Sequence, residues 1–209
     1  MPETIKIVLF DIGGVILRTD NPGPRTQLAQ HYGLDRQGID RLVFASQAAL
    51  AAEIGLGSED AVWEHVQREL SIPVSGMADF QREFWAGDSV DLSMFDLLRS
   101  LRPQRRTGLL TNSWLRDPLP LFWTRYHVAE TVVRAAVDEA ISSAQVGVRK
   151  PDRRIFDAAL LRFRAAPEEA VFVDDFAENV EAARAMGMRA ILFDSPTQTR
   201  RDLLALLGL

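Results

Sequence analysis

The strongest constraint on the fold is the alternation, from Thr107 onward, of short apolar runs with amphipathic segments of helical periodicity. This alternation is typical of βαβ units, in which parallel strands are joined by right-handed helical crossovers. A further apolar run lies near the amino terminus. We therefore predict an α/β fold built on a Rossmann-like, doubly wound parallel sheet. The predicted strands are Ile5 to Phe10, Thr107 to Leu110, Val137 to Ser142, Ala170 to Val173 and Arg189 to Phe193.

Three helices are predicted to pack on this sheet. The segment after Pro151 places its apolar residues on one helical face, and the segment after Phe176 does the same before it stops at Gly187. The leucine-rich stretch from Arg201 to Leu209 predicts a short helix at the carboxyl end.

The chain between residues 15 and 90 has a different pattern. It contains no strand-like run, and its apolar residues fall at helical spacing. Ser58, which two acidic residues follow, predicts the amino terminus of one helix. We therefore predict a core domain formed by residues 1–15 and 90–209, with residues 16–89 inserted as an α-helical cap.

Composition narrows the functional classes. The chain has 209 residues, a net charge of −5 and no cysteine, which excludes a thiol nucleophile, a thiolate zinc site and a disulfide framework. The acidic balance offers no basic field for nucleic acid, and the apolar run before Asp11 is too short for a signal core or a membrane span. We expect a cytoplasmic protein whose partner is a small molecule, with neither nucleic acid nor membrane. Its oligomeric state is not indicated.

Groups suited to phosphate chemistry follow apolar strands or lie on loops at four separate places. They are Asp11, then Thr111 with Asn112, then Lys150, then Asp174 with Asp175. Because strand ends of one polarity share an edge of a parallel sheet, we expect these groups to converge. Carboxylates beside a hydroxyl and an ammonium suit Mg²⁺ and a phosphate. A carboxylate can then attack phosphorus and form an aspartyl-phosphate.

The same segments resemble, in order, the four motifs of the haloacid dehalogenase-like hydrolases, and the resemblance covers most of the predicted core. Within that superfamily the chain is most similar to the phosphatase domain of soluble epoxide hydrolases and to small bacterial sugar-phosphate phosphatases, which carry a helical cap. The matching segments are Asp11-Ile12-Gly13-Gly14-Val15, Leu110 to Leu115, Gln145 to Pro151, and Val173-Asp174-Asp175 through Asn179 to Met188.

The resemblance implies a role for each group. It makes Asp11 the nucleophile and a Mg²⁺ ligand, with the main-chain carbonyl of Gly13 and the side chain of Asp175 as further ligands. It implies that Thr111 and the Asn112 amide contact the phosphoryl group and that Lys150 balances the charge of Asp11 and phosphate. By the same resemblance Asp174 lies next to the Mg²⁺ ligands without binding the metal itself, and Asn179 supports the acidic loop. The implied substrate is a small phosphorylated metabolite.

Gly13 departs from the family pattern, because most phosphatases of that family carry a second Asp there. That carboxylic acid protonates the leaving alkoxide and then activates water, and its loss costs roughly 10²- to 10⁴-fold in rate if nothing replaces it. Slow turnover is one explanation, and a replacement acid from the cap is another. Asp20, His31 and Glu53 are candidates between which the sequence does not choose.

Two further functions remain open. In a metal-independent 2-haloacid dehalogenase a halide leaves without a proton, which agrees with Gly13, although those enzymes generally lack the paired acids Asp174 and Asp175. The other is a protein that binds a phosphorylated ligand in the same groups but turns over slowly or not at all.

Overall fold

A central sheet of five parallel strands organises the computed structural model of the chain, which describes residues 4–209. The strand order is β5-β4-β1-β6-β7, so that β1 lies in the middle and pairs with both β4 and β6. A separate antiparallel pair is formed by β2 and β3. The strands are β1 (Ile7–Phe10), β2 (Leu17–Thr19), β3 (Asp88–Val90), β4 (Arg106–Thr111), β5 (Glu139–Ser142), β6 (Ala170–Asp174) and β7 (Arg189–Leu192).

All five predicted strands are present in the one parallel sheet, which confirms the α/β class. Their ends differ by one or two residues from the prediction. Val137, the predicted first residue of β5, instead directly follows the last residue of a helix, and β5 begins two residues later. The four residues of β1 are all buried, as expected for a strand with neighbours on both edges and helices on both faces.

Helices cover both faces of the sheet. One apolar cluster packs α6, α7, α8 and α12 against one face, and a second packs α10 and α11 against the other. The helices are α1 (Gly23–His31), α2 (Arg36–Phe44), α3 (Gln47–Glu53), α4 (Glu59–Leu70), α5 (Met77–Trp85), α6 (Leu92–Leu101), α7 (Pro120–Thr124), α8 (Glu130–Ala136), α9 (Ser143–Val146), α10 (Arg153–Phe163), α11 (Ala177–Ala185) and α12 (Pro196–Leu207).

The predicted helices after Pro151 and Phe176 correspond to α10 and α11. The last helix, α12, begins five residues earlier than the predicted start at Arg201. The hydroxyl of Ser195 accepts a hydrogen bond from the backbone N–H of Gln198 at 3.2 Å, and proline follows Ser195 at the first helical position. A side-chain cap followed by proline is a strong start signal.

Helices α1 to α5 form the helical segment, residues 23–85, which has its own apolar cluster. Ser58 caps α4 as predicted, because its hydroxyl accepts a hydrogen bond from the backbone N–H of Ala61 at 3.2 Å. The division into residues 1–15, 16–89 and 90–209 stays a prediction. Among residues 4–209, no helix combines the length and hydrophobicity needed to cross a lipid bilayer.

The expectation that residues 15–90 contain no strand is wrong. Strands β2 and β3 pair antiparallel on either side of the helical segment, with Arg18 opposite Ser89. Each strand has only three residues, and five of the six are partly buried, whereas Ser89 is exposed. A strand this short and this polar has too little alternation of apolar and polar residues to be recognised in the sequence.

Candidate active site

Asp11 is placed by the central strand of the sheet. Its backbone N–H donates to the carbonyl of Val173 at 2.8 Å, which extends the pairing of β1 with β6 by one residue. The chain then turns sharply at Gly14, whose φ is 72°. This left-handed conformation favours glycine. The end of a buried strand therefore presents the Asp11 carboxylate at the edge where a parallel sheet binds its ligands.

Asp174 and Asp175 reach the same point because β6 lies next to β1. Each of the three aspartates, including Asp11, offers one carboxylate oxygen, and these oxygens all lie within 4.8 Å of one another. Asp11 and Asp174 are buried, and Asp175 is partly buried. The predicted convergence of the two acidic segments is thus observed in the structure.

Lys150 neutralises part of this acidic cluster. Its side chain is only 1% exposed. Its Nζ lies 2.9 Å from Oδ1 of Asp11 and 2.6 Å from Oδ2 of Asp174, and it also donates to the carbonyl of Leu110 at 3.0 Å. A compact ammonium with three donors fits these three acceptors.

Asn112 holds the main chain of Lys150. Its side-chain Oδ1 accepts from the backbone N–H of Lys150 at 2.8 Å, and its Nδ2 donates to the Lys150 carbonyl at 3.1 Å. The backbone N–H of Asn112 donates to no atom of residues 4–209. Thr111, the last residue of β4, has a buried side chain next to Asn112. This loop therefore offers an unpaired N–H and a hydroxyl beside the acidic cluster.

The two neighbouring aspartates differ in their contacts. Asp174 is satisfied within the protein: it accepts from Lys150, from the backbone N–H of Phe176 at 2.8 Å and from Nδ2 of Asn179 at 3.0 and 3.1 Å. Asp175 has a buried Oδ1 without a hydrogen-bond partner in the described chain. Burial raises the pKa of Asp175 to about 6, and the nearby Asp11 and Asp174 add to the rise. Asp175 is therefore the acid of this pair that lacks a counter-charge.

The glycines of the nucleophile loop explain the close approach of Asp175. A Cβ atom at Gly14 would lie 2.0 Å from Oδ2 of Asp175, so no other residue fits there without moving that carboxylate. Gly13 is different, because a Cβ atom built on it would meet nothing within 4 Å. The loop thus has room for a side chain at the position where the family usually has an acid.

The donor set fits Mg²⁺. One oxygen of Asp11, Oδ2, accepts no hydrogen bond from the described residues, and neither does the carbonyl of Gly13. With the orphaned Oδ1 of Asp175, these are hard oxygen donors of the kind that Mg²⁺ prefers. The remaining oxygen of Asp11 is taken up by Lys150 and by the N–H of Ile12 at 2.7 Å. Burial raises the pKa of Asp11, and the Lys150 ammonium opposes that rise.

A cavity of about 420 Å³ adjoins these groups. Gly13, Thr111 and Asn112 border it, as do residues of the helical segment. Of the three cap acids or bases considered from the sequence, Glu53 borders the cavity, whereas the exposed Asp20 and His31 do not.

The helical segment is seated on the core beside this cavity. Gly55, with a φ of 72°, lies so close to α9 that a Cβ atom on it would be 2.4 Å from the carbonyl oxygen of Ala144. Oε2 of Glu53 lies 3.0 Å from Nη1 of Arg149. This contact is an ion pair rather than an aligned hydrogen bond, since the same buried oxygen has no hydrogen-bond partner.

Sequence reasoning missed most of the cavity wall. Phe44, Trp85, Arg25 and Asp88 come from the helical segment and β3, and nothing in their spacing indicates that they share a surface. Among the aromatic residues of the wall, Trp114 is the one whose sequence position offers a signal, because it comes directly after the proposed phosphate loop. The others become neighbours only when the helical segment closes on the sheet.

The chain belongs to the haloacid dehalogenase-like hydrolases, whose family profile matches residues 5–187. It is 29% identical to a sesquiterpene phosphatase of Aspergillus oryzae over the full length of both chains. It is 36% identical to a phosphatase of Mycobacterium tuberculosis, covering 97% of this chain and 95% of that protein. A D-ribitol-5-phosphate phosphatase of Bacteroides thetaiotaomicron is 26% identical, over 98% of this chain and 99% of that protein.

Similarity to bifunctional epoxide hydrolase 2 of Mus musculus is partial: 36% identity over 46% of this chain and 17% of that protein. Among solved structures, a Bacteroides thetaiotaomicron enzyme of the same family, in complex with magnesium and inorganic phosphate, has a TM-score of 0.74 at 21% identity, covering 91% of this chain and 94% of that chain. These matches confirm the predicted family and fold. The family membership identifies the chain as a hydrolase.

Proposed function

We propose that this chain is a Mg²⁺-dependent phosphatase that forms an aspartyl-phosphate on Asp11. The observation that carries the proposal is the buried group of Asp11, Asp174 and Asp175 around Lys150. Lys150 pairs with Asp174 and with one oxygen of Asp11, while the buried Oδ1 of Asp175 has no hydrogen-bond partner among residues 4–209. Such a site carries excess negative charge until a cation occupies it.

In the proposed reaction a carboxylate oxygen of Asp11 attacks phosphorus, the ester P–O bond breaks, and the leaving oxygen takes up a proton. Asp11, the Gly13 carbonyl and Asp175 would hold Mg²⁺, which when bound neutralises phosphate charge. The Thr111 hydroxyl and the backbone N–H of Asn112 would hold the equatorial oxygens, and the positive charge of Lys150 would balance that of Asp11 and the phosphate. Asp174 and Asn179 would keep Lys150 and the acidic loop in place. Water then cleaves the acyl phosphate and restores Asp11.

The leaving oxygen needs a proton, and Gly13 has no side chain that could donate it. We propose Glu53 as its source, because this carboxyl borders the cavity and is only 13% exposed. Burial raises the pKa of Glu53, against the opposing charges of Arg149 and Lys150. A carboxyl with a raised pKa keeps its proton to higher pH, as a general acid must.

The proposed substrate is a small phosphate monoester. The full-length relatives differ in what their names say they act on, since one is named for a sesquiterpene and another for the sugar alcohol phosphate D-ribitol 5-phosphate. Their names therefore support the reacting group, a phosphate ester, but not one kind of alcohol.

The proposal is tested with the purified chain, with and without Mg²⁺. We expect release of inorganic phosphate from p-nitrophenyl phosphate, acetyl phosphate and a panel of sugar phosphates, loss of that activity with a chelator, and loss in Asp11→Asn. Absence of Mg²⁺-dependent release from every one of these compounds contradicts the proposal.

The two alternatives give different results in the same preparation. Release of chloride from a 2-chloroacid, insensitive to a chelator, supports a dehalogenase. Gly13 favours that reading, but a metal-independent enzyme has no use for the unpaired Asp175. Equilibrium binding of a phosphorylated compound without any product supports a binding protein.

A further inference from the structure

The cavity beside Asp11 is mostly walled by hydrocarbon. Its volume is about 420 Å³, which falls in the range of pockets that enclose a small organic ligand. Gly13, Thr111 and Asn112 lie at its border, so that the cavity adjoins groups proposed to hold the metal and the phosphate. Its apolar wall consists of Ile12, Leu17, Phe44, Trp85, Trp114, Leu115, Pro118 and Leu121.

The aromatic part of this wall comes from both the helical segment and the core. Phe44 of α2 stacks on Trp114, with ring centroids 5.8 Å apart and an interplanar angle of 29°. Trp85, the last residue of α5, packs edge-on against Phe44 at 5.9 Å. Trp114 comes from the loop after β4, close to the proposed phosphate contacts. Large rigid rings of this kind bind hydrocarbon surface well.

The charged groups at the cavity are already paired. Nη2 of Arg25 lies 2.8 and 2.9 Å from the two carboxylate oxygens of Asp88, and Nη2 of Arg125 lies 2.8 Å from Oε1 of Glu59. The third arginine at the border, Arg18, is bound in the same way to Asp91 at 2.9 Å.

The small polar side chains at the cavity are also occupied. The hydroxyl of Thr19 donates to Asp88 at 2.6 Å, and the hydroxyl of Ser113 accepts from the backbone N–H of Leu115 at 3.1 Å. A polyol substrate needs free donors and acceptors for its hydroxyl groups, because buried hydroxyls without partners are costly. Among the described residues of the lining, the indole N–H of Trp85 and Oε2 of Glu53 have no hydrogen-bond partner, and most of the wall is apolar.

We propose that the cavity holds the hydrocarbon part of its substrate, so that the enzyme prefers phosphate monoesters of apolar alcohols to sugar phosphates. The phosphate would lie at Asp11, and the chain of the alcohol would lie against Phe44, Trp85 and Trp114. This inference rests on the proposed phosphatase function and adds the class of alcohol to it.

The test uses full-length protein with Mg²⁺ and a series of straight-chain alkyl phosphates from butyl to octyl, kept below their micelle concentrations, with ribitol 5-phosphate as the polar comparison. All of these are esters of primary alcohols, so that they differ mainly in what the cavity must bind. We expect kcat/KM to rise by up to about fourfold for each added methylene group that is buried. Octyl phosphate should exceed ribitol 5-phosphate by about tenfold or more.

Variants test whether the rise of kcat/KM with alkyl chain length depends on the aromatic wall of the cavity. Trp114→Ala and, separately, Phe44→Ala should lower kcat/KM for octyl phosphate more than for acetyl phosphate, whose small group does not reach the aromatic wall. Leu161→Ala removes an apolar side chain that is 80% exposed on α10, and it should change neither value. The ratio of the two substrates is the readout, so that a partial loss of folded protein does not affect it.

Two outcomes overturn different claims. If acetyl phosphate is hydrolysed but kcat/KM does not rise with chain length, or ribitol 5-phosphate is preferred to octyl phosphate, the apolar-alcohol inference is wrong and the phosphatase proposal stands. If no compound of the set, including acetyl phosphate, releases phosphate with Mg²⁺, the phosphatase proposal itself fails.

Discussion

The Nζ atom of Lys150 lies 2.9 Å from Oδ1 of Asp11, in a pocket where the lysine side chain is only 1% exposed. The same ammonium lies 2.6 Å from Asp174. It therefore separates two buried carboxylates that would otherwise face each other. This contact also determines which oxygen of Asp11 remains free, because the ammonium occupies Oδ1 and Oδ2 accepts no hydrogen bond from residues 4–209.

Replacing the buried lysine should damage both activity and stability. In Lys150→Met we expect kcat/KM to fall by about 10³-fold or more, because the positive charge that balances Asp11 and the phosphate is lost. The unpaired acids should lower the free energy of unfolding by about 3 to 5 kcal/mol. Phosphate release and urea unfolding measure the two effects. The control is Lys6→Met, at an exposed lysine paired with Glu169. Equal effects in both variants would contradict the role of Lys150.

Restoring an acid at position 13 should accelerate the reaction. Gly13→Asp fits sterically, since a Cβ atom there meets nothing within 4 Å. For an alkyl phosphate, whose leaving oxygen needs a proton, we expect kcat to rise by about 10²-fold. For p-nitrophenyl phosphate, whose leaving group departs without one, the gain should be small. A rate that is unchanged for alkyl phosphates would mean that a proton is not what limits turnover.

The adjacent glycine provides the contrast. A Cβ atom at Gly14 would lie 2.0 Å from Oδ2 of Asp175, and its φ of 72° is strained for any other residue. Gly14→Ala should therefore weaken Mg²⁺ binding and activity together. If Gly14→Ala binds Mg²⁺ as the unchanged protein does, Asp175 does not need its present position for the metal.

Glu53 should matter most for substrates with poor leaving groups. We expect Glu53→Gln to lower kcat for alkyl phosphates by about 10²-fold and to leave p-nitrophenyl phosphate nearly unaffected. A general acid acts only when protonated, so activity on alkyl phosphates should fall as pH rises through the raised pKa of Glu53, and this fall should disappear in Glu53→Gln.

Two further variants separate this role from damage to the fold. Asp20→Asn changes an exposed acid outside the cavity and should behave like the unchanged protein. In a Gly13→Asp background, Glu53→Gln should have little effect, because the new acid supplies the proton. Additive losses in the double variant would exclude Glu53 as the proton donor.

Mg²⁺ affinity should depend on pH through Asp175. The pKa of this carboxyl is raised to about 6 by burial and by the neighbouring acids, so it binds a proton as pH falls through that value, and the proton competes with the metal. We expect the Kd for Mg²⁺ to be nearly constant above about pH 7 and to rise by up to about tenfold per unit below about pH 6. Calorimetric titration measures it. Asp175→Asn should bind Mg²⁺ weakly at every pH. If the unchanged protein has the same Kd for Mg²⁺ at about pH 7.5 and about pH 5, Asp175 is not a Mg²⁺ ligand.

The sheet and the acidic cluster were predictable because they depend on local patterns and one topological rule. Asp11, Lys150 and Asp174 each follow a recognisable segment, and parallel strands bring their ends to one edge. The contacts of Asn112 were less predictable, because its side chain supports the main chain of Lys150 rather than standing free.

The cavity wall could not be predicted, for a physical reason. Phe44 and Trp114 are far apart in sequence and meet only because the helical segment closes on the sheet. The helical spacing of the apolar residues between residues 15 and 90 predicts helices, but not the surface against which each helix packs. Strands β2 and β3, on either side of the helical segment, are likewise too short to show a recognisable alternation of apolar and polar residues.

The contact between Gly55 and the carbonyl of Ala144 has a consequence for how such an enzyme diversifies. The helical segment meets the core there through main-chain atoms, at a distance that leaves no room for a side chain. This contact between the helical segment and the core thus does not involve the side chains that line the cavity. Substitutions at Phe44 or Trp85 can therefore change substrate preference without altering the main-chain contact between Gly55 and Ala144.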